Sequence, residues 1–267
     1  MLYYLFVGLS LFAASSAAFT YGLFAHWYWW LQALLVAVLV FGLCVLAHLL
    51  FCVFLAFFVH PDKPITKQSR LFYRVLVETA YLFLRVLNVH VHLDGKEKLP
   101  EDCRFLLVCN HISWIDPAIS IVLLQKYHIA FISRKENYSY PLAKQFLYKT
   151  ACLAIDRDNN REALKTINQA AEFLKSGECA IGIYPEGWIT KTGEIQEFRH
   201  GAFRIAKKGE APIVVATISG ADKALKKTLW KRCDVTLTIR DVIPVDYVAA
   251  HKTAEISDFA REIMMKK

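Results

Sequence analysis

The chain has 267 residues, 55% of them apolar, with 32 Lys and Arg against 24 Asp and Glu. That length supports one sizeable domain with an appendage. The net charge of +8 comes with no nucleic-acid motif, and the seven cysteines form no C-x-x-C pair and no Cys/His ligand spacing. Composition therefore argues against DNA or RNA as a partner, against a metal module and against a disulfide scaffold.

No Asp, Glu, Lys or Arg occurs before Asp62, a run far longer than the ~20 apolar residues that cross a bilayer once. It divides at "HWYWWLQ" (26–32), an aromatic cluster of the kind found at membrane interfaces. The expectation is a membrane hairpin over 1–61, with spans near 2–25 and 32–58, followed by a second domain over 62–267. A rival reading takes "LFVGLSLFAASSAA" as a signal core. The missing positive n-region and the second apolar segment weigh against it. Lys63, Lys67, Arg70, Arg74 and Arg85 follow the second span, while the turn carries neither Lys nor Arg. That bias predicts that the second domain lies on the cytoplasmic side of an inner or cell membrane. The whole excess of positive charge then belongs to that domain, and it points to anionic lipid or an anionic carrier.

Beyond Pro64, "RLFYRVLVETAYLFLRVL" reads as an amphipathic helix on the membrane surface or on the domain. "VHVHLDG" alternates as a strand, with His90 and His92 taken as ordinary strand residues because no further ligands accompany them. "RFLLVCN", "YHIAFIS", "ACLAID", "CAIGIYP", "APIVVATI" and "CDVTLTIRDVIPV" read as further strands. Helices are expected after Pro117, over "YPLAKQFLY", over "REALKTINQAAEFLKSG", over "FRHGAFRIAKKG" and at the C-terminus. The third of these places Leu164, Ile167, Ala171 and Leu174 on one face and stops at Gly177. This alternation predicts an α/β domain with a mixed, largely buried β-sheet flanked by helices.

Polar pairs gather at strand ends: Asn110–His111, Asp156–Arg157 and Glu186–Gly187. Loops at the carboxyl ends of strands are where ligand sites form in such sheets. Asp116 before Pro117 is also what a helix start looks like, since Asp accepts from first-turn amides and Pro suits the first helical position. That explains Asp116 without chemistry but leaves His111 unexplained.

"NHISWIDP" resembles the N-H-x-x-x-x-D signature of the membrane glycerolipid acyltransferases. "LAIDR" (153–157), "YPEGWITKTGEIQEFRHGAFRIA" and "APIVVATI" resemble that family's later blocks in the same order. The resemblance implies transfer of an acyl chain from an acyl-ACP or acyl-CoA thioester to a lysolipid, first of all 1-acyl-sn-glycerol 3-phosphate. It implies catalytic roles for His111 and Asp116, and substrate contacts from Asn110, Ser113, Arg157, Glu186, Gly187 and Arg199. One departure bears on the acceptor. Trp188 and Ile189 stand where the family commonly has Thr-Arg, and that arginine is implied to help hold the acceptor's phosphate. Arg157 remains, with Lys191, Arg199 and His200 as possible substitutes. Another lysophospholipid or an aminoacyl lipid is therefore the alternative acceptor.

The residue types suit this chemistry. Neutral imidazole can take a hydroxyl proton near pH 7, and a carboxylate on the other ring nitrogen fixes the tautomer and stabilises the imidazolium. A thioester is already activated, so no Ser or Cys nucleophile is required, and no G-x-S-x-G elbow occurs. The backbone amides around Glu186–Gly187 are expected to stabilise the oxyanion. No metal or organic cofactor is expected. A non-catalytic lipid-binding protein on the same fold would lack the His or the Asp, and both are present.

Overall fold

A computed structural model describes residues 1–266 except 23, 25, 62–64, 141, 191–193, 225 and 229, so Lys63 and Lys191 lie outside the described residues. The chain divides into two compact units, Met1–His60 and Pro61–Lys267.

The first unit is a pair of helices, α1 (Leu2–Thr20) and α2 (Trp29–Phe57), each long and apolar enough to cross a membrane. The helical spans differ from the expected ones chiefly in the turn. The first stops five residues earlier, and Trp29 to Leu31 join the second helix. The helices bury stripes at a spacing of four: Phe6, Ser10, Ala14 and Ala18 on α1, and His48, Cys52 and Ala56 on α2. Small residues at that spacing let two apolar helices approach closely where hydrophobic burial cannot drive association. The large side chains between the stripes stay exposed, among them Leu35, Leu39, Leu46 and Leu50.

The second unit follows α3 (Arg70–Val86) with β1 (Val89–Asp94), β2 (Leu106–Cys109), α4 (Asp116–Leu123), β3 (Ala130–Arg134), α5 (Ala143–Lys149), β4 (Leu153–Ile155) and α6 (Asn160–Ser176). It ends with β5 (Ile181–Ile183), α7 (Arg204–Gly209), β6 (Ile213–Ser219), α8 (Ala221–Ala224), β7 (Cys233–Ile243), α9 (Val245–Ala250) and α10 (Thr253–Met265). Among the described residues the strands form one seven-stranded sheet in the order β1-β7-β6-β2-β5-β3-β4. All neighbours pair in parallel except β6 and β7. The sheet is mixed, as the sequence predicts. Its central strands read as continuous apolar runs because both faces are covered. α3 and α4 pack together on one side, while α6, α7 and α10 form the other layer.

α3 settles the choice the sequence left open. Ser69 caps it by accepting from the Phe72 amide, and Tyr73, Val77, Ala80 and Leu84 pack into the domain core. In α6 the buried face is Ile167, Ala170, Ala171, Phe173 and Leu174, whereas Leu164 is 40% exposed and lies off the core. Asn159 caps that helix, and Gly177 ends it with a left-handed φ of 67°.

The strand that carries the Tyr-Pro-Glu-Gly block has no room for a side chain at its centre. A Cβ on Gly182 would lie 2.5 Å from the Phe131 ring on β3. Gly182→Ala should therefore lower stability by about 1–3 kcal/mol, the cost of overpacking, seen as a lower unfolding midpoint.

The connection leaving β2 runs to β3 on one side, and the connection leaving β5 runs to β6 on the other. The first connection passes across β5 through α4 and the second across β2 through α7, on opposite faces of the sheet. Adjacent parallel strands connected in that way open a crevice at their carboxyl ends. Asn110–His111 and the Glu186 turn both lie there.

Candidate active site

His111 lies two residues beyond the end of β2, and its Nδ1 lies 2.8 Å from Oδ2 of Asp116. The same oxygen accepts from the amides of Ile112 at 2.8 Å and Ser113 at 2.9 Å. This corrects the expected helix cap. α4 begins at Asp116 itself, no side chain caps it, and the carboxylate turns back toward the loop that carries His111. Asp116 is fully buried, while the His111 side chain keeps 17% exposure. A carboxylate on Nδ1 places the imidazole proton there and leaves Nε2 as the basic atom. Nε2 has no protein partner among the described residues.

The imidazole plane is held from the side. Tyr184, just after β5, stacks on it with ring centroids 4.2 Å apart and planes 15° from parallel. Phe131 stacks on the far side of Tyr184 at 5.4 Å. Burial holds the Tyr184 phenol well above its usual pKa, with Asp116 and Cys109 adding to the effect, so the ring stays neutral. Cys109 immediately precedes this loop. Its thiol is pushed well above its usual value by burial first and by Asp116 next. A protonated, buried thiol is no nucleophile, so the histidine has no covalent partner in Cys109.

Three of the residues expected to contact substrate are also tied into the framework. Asn110 exhausts its amide on the backbone at the end of β6, with Nδ2 donating to the Ile218 carbonyl at 3.1 Å and Oδ1 accepting from its amide at 2.7 Å. Glu186 is 1% exposed. Its Oε1 accepts from the His111 amide at 3.2 Å, and its Oε2 accepts from the Thr190 hydroxyl at 2.6 Å and the Gln196 amide at 3.0 Å. Ser113 is buried and gives its amide to Asp116. Sequence blocks identify all three, but Ile218 lies 108 residues from Asn110 and Glu186 lies 75 from His111, too far along the chain to be read from spacing. The Gly187 amide is likewise closed into a turn on the Tyr184 carbonyl at 3.1 Å, so it is not the oxyanion donor expected there.

Arg157, after β4, reaches Gly187 and donates from Nη1 to its carbonyl. Gly187 takes a φ of +84°, and a Cβ there would lie 2.9 Å from Nε of Arg199. Glycine lets the turn adopt that conformation and lets two guanidinium groups approach it. Arg199 is placed by its amide, which donates to the Pro185 carbonyl at 2.9 Å, and its guanidinium lies 5.8 Å from the Trp188 ring centre. Both arginines line a cleft of about 170 Å³ with Arg134, Lys135, Ile155 and Asp158. Arg134 pairs with Glu136 at 3.3 Å and Lys135 with Asp156 at 2.8 Å. Among the described residues Arg157 and Arg199 pair with no carboxylate. Burial lowers the Arg157 pKa from its usual value, and repulsion from Arg199 and Arg134 adds to this. Glu136 and Asp158 also line the cleft and offset part of this repulsion, but neither is in ion-pair contact with Arg157 or Arg199. Both guanidinium groups therefore keep charge that an anion could meet. His200 is exposed at the start of the turn before α7.

A 1-acyl-sn-glycerol-3-phosphate acyltransferase of Bacillus subtilis is 33% identical to this chain over 56% of it and 71% of the relative. The chain belongs to the membrane glycerolipid acyltransferase family. The family described as Acyltransferase matches residues 90–219. A 1-acyl-sn-glycerol-3-phosphate acyltransferase of Saccharomyces cerevisiae is 26% identical over 70% of this chain and 64% of its own. The crystal structure of the 1-acyl-sn-glycerophosphate (LPA) acyltransferase PlsC from Thermotoga maritima shares the fold. It has a TM-score of 0.56 at 20% identity, and the match covers 81% of this chain and 88% of that one.

Membership in the glycerolipid acyltransferases makes the protein an O-acyltransferase. Among the described residues no cluster of His, Cys, Asp or Glu could hold a metal ion. His90 instead meets Arg85 and Asn88, and His92 meets Asp234.

Proposed function

We infer that the protein moves a fatty acyl chain from an acyl thioester, carried by acyl-ACP or acyl-CoA, to the free hydroxyl of 1-acyl-sn-glycerol 3-phosphate, giving phosphatidic acid. Family membership supports the reaction class, and the unpaired Arg157–Arg199 slot supports the phosphate-bearing acceptor. In this reading Nε2 of His111 removes the hydroxyl proton as the oxygen attacks the thioester carbon. Asp116 stabilises the imidazolium that results. The tetrahedral intermediate then expels the thiolate as the carbon–sulfur bond breaks, and the imidazolium returns the proton to sulfur. The amides of Glu186, Trp188 and Ile189 have no protein acceptor among the described residues and are the oxyanion donors left in this turn.

Trp188 is 57% exposed and Ile189 40% exposed, beside the cation slot. An apolar rim in place of Thr-Arg favours a second reading, acylation of a lysophospholipid whose phosphate bears a further head group. Purified full-length protein offered lysophosphatidic acid with acyl-CoA and with acyl-ACP separates the possibilities by product mass. Phosphatidic acid formed with either donor supports the first reading and identifies the carrier. Acylation confined to a diester lysolipid replaces it with the second.

The charge distribution around the hairpin supports one orientation in the membrane. With the basic residues behind α2, both termini lie in the cytoplasm and the turn lies outside. A cysteine placed at Trp27, which is 82% exposed in the turn, should react with an impermeant maleimide from outside the cell, and one placed at Lys252 only after the membrane is opened. A mature N-terminus near Ala18 would reveal a cleaved signal instead and would overturn the hairpin.

A further inference from the structure

β6 and β7 are neighbours in the sheet, yet the chain between them is long. The segment "GADKALKKTLWKR" (220–232) carries five cations and a single carboxylate. Trp230 is 91% exposed, and Lys223, Lys226, Lys231 and Arg232 are exposed around it. Arg232 is engaged with Asp234 at 2.6 Å. Lys223, Lys226 and Lys231 pair with no carboxylate among the described residues.

The backbone that presents this indole is tethered. Nδ2 of Asn88 donates to the Trp230 carbonyl at 3.3 Å, and Nζ of Lys227 donates to the Leu87 carbonyl at 2.7 Å. The segment also has a defined place. β6 runs parallel to β2, so it emerges at the end of the sheet that carries His111. Asn110 grips Ile218, two residues before the segment begins.

We propose that residues 220–232 form a second membrane contact, separate from the N-terminal hairpin. Lys223, Lys226 and Lys231 bind anionic phospholipid head groups there, and Trp230 sits at head-group level. An indole among lysines matches that layer, where an amphipathic ring meets both hydrocarbon edge and polar heads while the lysines meet surface charge. A protein-binding patch has the opposite composition, because lysine is depleted at protein interfaces. The docked segment holds the catalytic end of the sheet against an anionic bilayer, and this role does not depend on which lysolipid is acylated.

The test uses full-length protein reconstituted in vesicles of brominated phosphatidylcholine, alone or mixed with phosphatidylglycerol. Subtracting the emission of Trp230→Phe protein isolates this indole. Its fluorescence should shift to the blue and be quenched in the anionic vesicles, with much less effect in the neutral ones, and salt should reverse it. The combined K223Q, K226Q and K231Q variant should lose about two decades of the preference for anionic lipid, at about fivefold per cation. All three side chains are exposed, so an unchanged circular dichroism spectrum is expected. An indole that remains unquenched in both kinds of vesicle would overturn the proposal. So would emission that responds only to added acidic acyl carrier protein.

Discussion

His111→Ala protein should fold normally and lose acylation by about 10²–10⁴-fold or more, the scale of losing a general base. Normal folding is expected because the side chain is partly exposed and its polar partner is confined to one atom, Oδ2 of Asp116. Asp116→Asn separates geometry from charge. An asparagine oxygen can accept the three bonds that Oδ2 now takes, from His111, Ile112 and Ser113. The opposite oxygen, Oδ1, has no partner among the described residues, so an amide nitrogen there breaks nothing. The loop should therefore survive while the imidazolium loses its counter-charge, and kcat should fall with little change in KM for either substrate. Initial rates with both substrates varied read this directly. Near-normal turnover by folded His111→Ala protein would end the catalytic reading.

The second large effect belongs to the cation slot. Arg157→Ala should lower kcat/KM for lysophosphatidic acid by about one to two decades, the scale of a charge-assisted hydrogen bond. KM for the thioester should change much less. Arg157→Lys should recover only part of the loss, because a point charge cannot engage two phosphate oxygens as a guanidinium does. Arg157 also bonds the Gly187 carbonyl, so a control must separate phosphate binding from loop support. Ile189→Arg restores a guanidinium beside the slot without touching that bond. If the lost function is phosphate binding, Ile189→Arg should partly rescue Arg157→Ala. If it is loop support, rescue should fail and both substrates should suffer alike.

The sequence and the structure agree where local periodicity decides. β2, β5 and β6 are continuous apolar runs and are strands buried on both faces. α6 has a capping asparagine, a repeating face and a terminal glycine, and it begins and ends where those signals lie. Leu164 misleads because it sits at the edge of that face, where one residue of helical rotation separates core from solvent. The antiparallel β6–β7 pair and the place of β1 at the sheet edge depend on partners far along the chain, and no local pattern encodes them.

The site was legible in part for the same reason. The five-residue spacing of His111 and Asp116 is local, and the structure joins them at 2.8 Å. The helix-start signal at Asp116 points two ways, since Asp-Pro fits either a forward cap or a carboxylate turned back on its own loop. Asn110 and Glu186 stand out in the sequence, but their work is to tie β2 to β6 and to hold the His111 loop to the Glu186 turn. The Trp188 departure reads from sequence as a lost contact. In the structure its ring lies against Arg199, one of the two unpaired guanidinium groups.

In the proposed mechanism a phosphate monoester in the Arg157–Arg199 slot selects the acceptor for base-catalysed transfer by His111. The most direct measurement is a competition. Lysophosphatidic acid and lysophosphatidylglycerol are mixed equally in one vesicle with a single acyl thioester, and the two products are weighed by mass spectrometry with wild-type and Arg157→Ala protein. Wild type should yield phosphatidic acid in excess by at least about tenfold, and Arg157→Ala should bring the ratio toward one. A wild-type ratio near one, or one that favours phosphatidylglycerol and is unmoved by Arg157→Ala, would contradict the assignment.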